Sequence, residues 1–358
     1  MSDQSSAGVA HLSSGITGAS DGHRFRMGRS TCPHRLSSNL NAAIVGQDDA
    51  ISAVVRALTI AAAGIRDPHR PIASLLFAGP TGVGKTELSR RLALEITGDP
   101  EKLCRIDMAS LAQEHYAASL SGAPPGYSGS KEQFTLFDRE LIEGNLSRPG
   151  IVLFDEVEKA HTTVLRSLLQ ILDTGTLRLT AGTSSISFRN CIVLLTSNLG
   201  SDRPADSRHG NEVQSLRSRL GKWSPWRSPA ATESGDPVVA AVEDFFDPEL
   251  FNRFDEIVRF HSIDRDTARA ILDIELDRLA ATLASRAVKW SPTAEVRDHL
   301  IDKGFDKLYG ARHLKRTVRR ELHAPIANAV VNAEPAAHPL RIVTEMHGGT
   351  ICAAAHSN

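Results

Sequence analysis

Gly79-Pro80-Thr81-Gly82-Val83-Gly84-Lys85-Thr86 is the stretch that decides the fold. It fits G-x-x-x-x-G-K-[ST] in full, and it lies between an apolar run at 74–78 and a helical pattern at 86–97. Glycines at these positions let backbone N–H groups turn inward around an anion, and the amino terminus of the next helix adds a favourable partial charge. Lys85 then reaches the β- and γ-phosphates of ATP as a point charge, while Thr86 offers a hydroxyl to Mg2+. The strand–loop–helix setting separates this motif from a glycine-rich turn that happens to hold a lysine.

Downstream, Ile151-Val152-Leu153-Phe154-Asp155-Glu156 joins four buried-type residues to two carboxylates. Capping of a following helix is the bland reading of such a strand end. After a phosphate loop, a neighbouring parallel strand is the better one. Asp155 would then orient Mg2+ through its water shell, and Glu156 would act as general base on the attacking water. A third apolar strand, at 191–196, ends in Thr196-Ser197-Asn198, whose amide could hold that water.

Short apolar runs alternate with helical periodicity at 50–63, 86–97 and 164–172, which implies an α/β sheet covered on both faces. Residues 1–38 read as a disordered leader, 39–261 as the large domain, and about 201–240 as an insertion rich in Ser, Pro, Asp and Arg that contains Trp223 and Trp226. From 262 to 358 the pattern is mostly helical. Ala268, Leu272, Leu276, Leu279 and Leu283 form an amphipathic stripe. Ser291-Pro292 suggests a second helix start, and a third helix from about Ala311 should end or kink at Pro325. Strands at 340–345 and 350–354 flank His347-Gly348-Gly349 as a terminal hairpin.

Composition narrows the partners. Lys plus Arg is 41 and Asp plus Glu is 42, a net charge of −1, so no global field draws nucleic acid or an anionic membrane. The four cysteines, Cys32, Cys104, Cys191 and Cys352, lack C-x-x-C pairing and read as reduced thiols. The amino terminus lacks the apolar core of a signal peptide, and no run of about 18 or more apolar residues occurs. A cytoplasmic protein is expected.

These residues resemble the AAA+ family, and within it the Clp chaperones and the second ATPase module of ClpB-type disaggregases. Long runs carry the resemblance: Val45-Gly46-Gln47, Arg66-Asp67-Pro68-His69-Arg70-Pro71-Ile72, Gly122-Ala123-Pro124-Pro125-Gly126-Tyr127, Phe154-Asp155-Glu156-Val157-Glu158-Lys159-Ala160-His161 and Leu168-Leu169-Gln170-Ile171-Leu172-Asp173. It implies a P-loop NTPase domain, with a parallel sheet flanked by helices, followed by a small helical lid. It also implies roles. Ile44 and Val45 fall where the family contacts adenine, and Asn198 falls at the first sensor. Arg253 matches the arginine finger that reaches the next subunit's site, and Arg312 in Gly310-Ala311-Arg312 matches the second sensor. A finger supplied in trans implies a closed ring, by resemblance a homo-hexamer.

The same resemblance makes Tyr127 the channel residue that grips an unfolded polypeptide, although Ser128 and Ser130 depart from the family's usual side chains. No second P-loop or coiled-coil middle domain is expected in this chain. The family's peptidase-docking tripeptide, Ile-Gly-Leu or Ile-Gly-Phe, is absent between Ser201 and Asp247, which disfavours a protease partner. The leading expectation is an ATP-driven protein-remodelling motor. A nucleic-acid motor is disfavoured by the neutral charge, and the basic run from Leu314 to Arg320 reads as one solvated helix face. A slow nucleotide-gated scaffold is disfavoured by the presence of both Glu156 and Arg253.

Overall fold

The computed structural model describes residues 32–113, 136–145, 148–178, 185–201, 236–333 and 340–356. Tyr127, Ser128, Ser130, Trp223 and Trp226 lie outside them.

Two helices precede the phosphate loop, α1 (Pro33–Ala43) and α2 (Asp48–Ala62). Pro33 opens α1, where its missing N–H costs nothing, and Leu36 and Leu40 bury their side chains fully. The helix therefore crosses the expected leader boundary at residue 38, because two leucines one turn apart supply a buried stripe that composition alone conceals. Asp48 and Asp49 in the first turn of α2 suit its positive end.

The large domain continues through β1 (Ala73–Ala78), α3 (Lys85–Thr97), β2 (Cys104–Asp107), α4 (Arg139–Glu143), β3 (Gly150–Asp155) and α5 (Thr162–Thr174). A small antiparallel pair follows, β4 (Thr176–Arg178) with β5 (Ser185–Ser187), then β6 (Cys191–Ser197). Two helices, α6 (Pro237–Phe245) and α7 (Pro248–Phe251), lead to β7 (Glu256–Arg259).

Five strands form one parallel sheet in the order β2-β3-β6-β1-β7. Every residue of β1, β3 and β6 is buried, as expected for strands covered on both faces. Alternate residues divide between two cores. Leu75, Phe77, Ile151, Leu153, Ile192 and Leu194 face α1, α2 and α3, while Leu76, Val152, Phe154, Val193 and Leu195 face α5. One expectation needs correcting: β3 does not neighbour β1, because β6 lies between them. The strand ending at Asn198 is thus sandwiched between the phosphate loop and the acidic pair.

The lid holds α8 (Arg265–Ala284), β8 (Val288–Pro292), α9 (Ala294–Gly304), α10 (Gly310–Val331), β9 (Leu340–His347) and β10 (Thr350–His356). Ser291-Pro292 closes a strand and starts no helix. Val288 and Trp290 alternate inward, so period two wins there, and α9 begins at Ala294. β8 pairs parallel with β9, which pairs antiparallel with β10.

Pro325 lies inside α10 and does not end it. An interior proline costs about 3 kcal/mol, but Leu314, Val318, Leu322 and Ile326 bury one continuous face across it. Leu314 and Val318 also bury part of the basic run, while Lys315 reaches Glu275 at 3.0 Å. The lid residues Ala268, Leu272, Leu276 and Leu314 belong to the same core as α1–α3.

Candidate functional site

The carboxyl ends of β1, β3 and β6 meet the start of α10 around a cavity of about 280 Å3. Thr81, Gly82, Gly84, Lys85, Thr86, Asp155, Glu156, Asn198 and Arg312 line it. Five cationic side chains (Lys85, Arg90, Arg105, Arg312, Lys315) face three carboxylates (Glu87, Asp155, Glu156). That excess suits a polyanion.

The loop is built from backbone. Gly79 (φ 143°) and Gly82 (φ 76°) have positive φ, which side chains rarely allow, and both are crowded. A Cβ on Gly79 would come to 2.4 Å from the Phe260 carbonyl oxygen, and one on Gly82 to 2.3 Å from that of Tyr309. The second contact joins loop to lid. Ala311 N–H donates to the Gly82 carbonyl at 2.9 Å, and the Thr81 hydroxyl donates to that of Leu308 at 3.2 Å.

Lys85 heads α3 yet is buried. Its ammonium donates to the carbonyls of Gly79 and Pro80, both at 2.6 Å, and to Asn198 Oδ1 at 3.0 Å. Burial pushes its pKa down to about 8, partly countered by the nearby Glu158 carboxylate and reinforced by Arg312. Asn198 is fixed from the other side, its backbone and side-chain N–H groups donating to Glu158 Oε1 at 3.1 and 3.0 Å.

Asp155 is 6% exposed. Arg105 holds its Oδ2 through Nε at 3.0 Å and Nη2 at 2.6 Å, while the Thr196 hydroxyl donates to Oδ1. Thr196 Oγ1 in turn accepts from Glu156 N–H at 2.9 Å. Glu156 has φ 59°, a conformation costing a non-glycine residue roughly 1–3 kcal/mol that the Thr196 contact helps to hold. Its carboxylate pairs with Lys159, whose pKa rises through that hydrogen bond. Thr86 and Asp155, hard oxygen donors on one cavity wall, fit a hydrated Mg2+ completed by phosphate oxygens.

An adjoining, more apolar cavity of about 60 Å3 is lined by Ile44, Val45, Val83, Ile271 and Ile274, and shares Gly84, Glu87, Ala311 and Lys315 with the first.

Arg253 lines neither cavity. It follows α7, and its carbonyl accepts from Ser74 Oγ at 2.9 Å and from Arg70 Nη2 at 2.6 Å. Its anchor is thus the start of β1, roughly 13 Å from the strand's other end at about 3.3 Å per residue. The side chain is 36% exposed and pairs with Asp173 at 2.9 Å; its Nε is buried without a hydrogen-bond partner among the described residues.

Sequence reasoning missed Arg105, Glu158 and Lys159 as partners of the site. No spacing marks them. Arg105 is one exposed position in an alternating strand, and Glu158 acts only through the fold of the turn after β3.

Residues 70–257 match the AAA domain (Cdc48 subfamily), and residues 263–339 match the C-terminal, D2-small domain, of ClpB protein. The chain belongs to the AAA family, with a ClpB-type small domain, and is an ATPase. It is 51% identical over 301 residues to an ATP-dependent protease ATP-binding subunit-like protein of Rhodococcus erythropolis, a match covering 84% of each chain. It is 40% identical to the chaperone protein ClpB of Meiothermus ruber, over 84% of this chain and 33% of that one. Among solved structures it is similar to "Closed State CryoEM Reconstruction of Hsp104:ATPyS and FITC casein". That likeness has a TM-score of 0.70 and 29% identity, and covers 90% of this chain and 51% of the other. The resemblance read from the motifs thus holds at the level of family and fold. The cysteines are all free, and among the described residues no helix is long and apolar enough to cross a membrane.

Proposed function

We propose that this chain uses ATP and Mg2+ to drive polypeptide remodelling, as one protomer of a closed ring, by resemblance a hexamer. The observation that carries this reading is a division of parts. Phosphate loop, acidic strand end, Asn198 and Arg312 surround one cavity, whereas Arg253 is anchored at the opposite end of β1.

In this reading Lys85 exchanges its loop carbonyls for phosphate oxygens, and Ile44 and Val45 hold the adenine. Mg2+, held by Thr86 and through water by Asp155, supplies charge neutralisation on the phosphates. Glu156 leaves Lys159 and takes the proton of the attacking water, which Asn198 orients. Arg312 reaches the γ-phosphate from the lid. Arg253 leaves Asp173 for the neighbour's transition state, and its partial exposure permits the exchange. Tyr127 grips the threaded chain.

The test pairs size measurement with an ATPase assay on an unfolded, casein-like protein. ATP-dependent ring assembly and turnover raised by the unfolded chain are expected, with stimulation lost in Tyr127→Ala. Turnover indifferent to unfolded protein removes the threading reading. The names of two relatives, ATP-dependent protease ATP-binding subunit-like proteins, favour a second reading, delivery of unfolded chains to a peptidase. The absent docking tripeptide weighs against it. Co-sedimentation of a peptidase with ATP-loaded rings decides between them.

A further inference from the structure

We propose that Arg105 is a cation placeholder on Asp155, displaced when Mg2+ enters with the nucleotide. The proposal rests on the nucleotide reading of the cavity and adds a control on metal affinity to it.

The two oxygens of Asp155 have different partners. Oδ1 takes the Thr196 hydroxyl, and Thr196 also holds the Glu156 backbone, so this bond is tied to the strand framework. Among the described residues Oδ2 takes only Arg105, through Nε and Nη2. Oδ2 is therefore the oxygen that can change partner.

Arg105 is suited to leave. It stands on β2, an edge strand of the sheet, and its side chain is 56% exposed although the carboxylate it holds is 8% exposed. Lys85, another cation of the cavity, is buried and engaged by three acceptors. A carboxylate as buried as Asp155 needs a positive partner. Arg105 and Thr86 line the same cavity, so a divalent ion there meets the guanidinium as a like charge and competes for its acceptor. Metal binding would then be an exchange, in which the Arg105–Oδ2 bonds break and Oδ2 is freed to face the hydrated ion. Arg105 is a positioning residue, acting through Asp155.

The experiment uses the full chain and a fluorescent ADP derivative, titrated with MgCl2 in wild type, Arg105→Gln and Arg105→Lys. Without the placeholder, half-saturating Mg2+ should fall about three- to fivefold in Arg105→Gln, the scale of a half-exposed ion pair. Arg105→Lys should stay near wild type. In EDTA the nucleotide should bind Arg105→Gln more weakly than wild type, because an unneutralised carboxylate then faces the phosphates.

A purely structural pair would lower thermal stability in Arg105→Gln and leave half-saturating Mg2+ in place, which overturns the proposal. If that variant does not fold, arginine-selective labelling of the wild type gives the answer. Mg2+ added to the ADP-bound protein should raise Arg105 labelling, and unchanged labelling overturns the proposal. If the wild-type chain binds no nucleotide, with or without Mg2+, the site reading itself falls and the placeholder falls with it.

Discussion

In the proposed ring Lys85 serves its own protomer's phosphates and Arg253 those of the neighbour, and the molecule holds the two cations in opposite ways. Lys85 is buried, has three acceptors within 3.0 Å, and follows a loop whose glycines are pressed against Phe260, just past β7, and the lid. Arg253 is 36% exposed on its side chain and holds one acid, itself 44% exposed. The first arrangement is pre-organised and expensive to disturb. The second is a pair that screening by water makes cheap to exchange. On the proposed reading, binding is built into the protomer, while the completing charge waits in a part-exposed pair with Asp173.

Removing the outward charge should give the largest effect. Arg253→Ala is expected to lower turnover about 10³-fold, the low end of what a finger arginine supplies, with nucleotide affinity kept. Steady-state ATPase rates and equilibrium nucleotide binding check the two halves separately. Loss of affinity together with rate would break the contrast, because Arg253 would then belong to the binding half.

On the inward side, Gly82→Ala forces a Cβ to 2.3 Å from the Tyr309 carbonyl at φ 76°. The expected cost of roughly 1–3 kcal/mol should appear as about tenfold weaker ATP binding and a lower melting temperature. Fluorescence titration and a thermal melt read them. An unchanged affinity would mean that the lid contact is dispensable for binding.

The smallest effect is in pH. Lys85 titrates at about 8 in the folded chain, below its ordinary value of about 10.4. Between those values the unfolded chain holds more protons, so the charged lysine costs stability below about pH 8, and the cost fades as pH rises. Phosphates favour the charged form. ATP binding should therefore take up a proton above pH 8, and affinity should fall several-fold by about pH 9.5. Calorimetry in two buffers of different ionisation heat measures the uptake, which should vanish near pH 6.5.

What could be read before folding follows from range. The phosphate loop, Asp155-Glu156 and the apolar runs of β1, β3 and β6 are contiguous, and period and motif expose them. The order β3-β6-β1 was hidden, because an all-buried strand carries no mark of which neighbours flank it. β8 was missed because Ser291-Pro292 resembles a helix start, while Val288 and Trp290 offer only two inward positions. At Pro325 the local rule allows an end or a kink, and a buried face extending past it rules out the end. Arg105 and Glu158 reach the site through tertiary contacts across 50 and 40 residues, which no local pattern announces.

Mixing two inactive proteins gives the most direct measurement. Arg253→Ala keeps an intact cavity and lacks the outgoing charge; Glu156→Gln keeps the charge and lacks the base. In a randomly mixed closed ring about a quarter of the interfaces pair an intact cavity with an intact arginine, so equimolar mixing should restore about that fraction of wild-type turnover. A mixture as inactive as its two components would contradict a site completed between protomers.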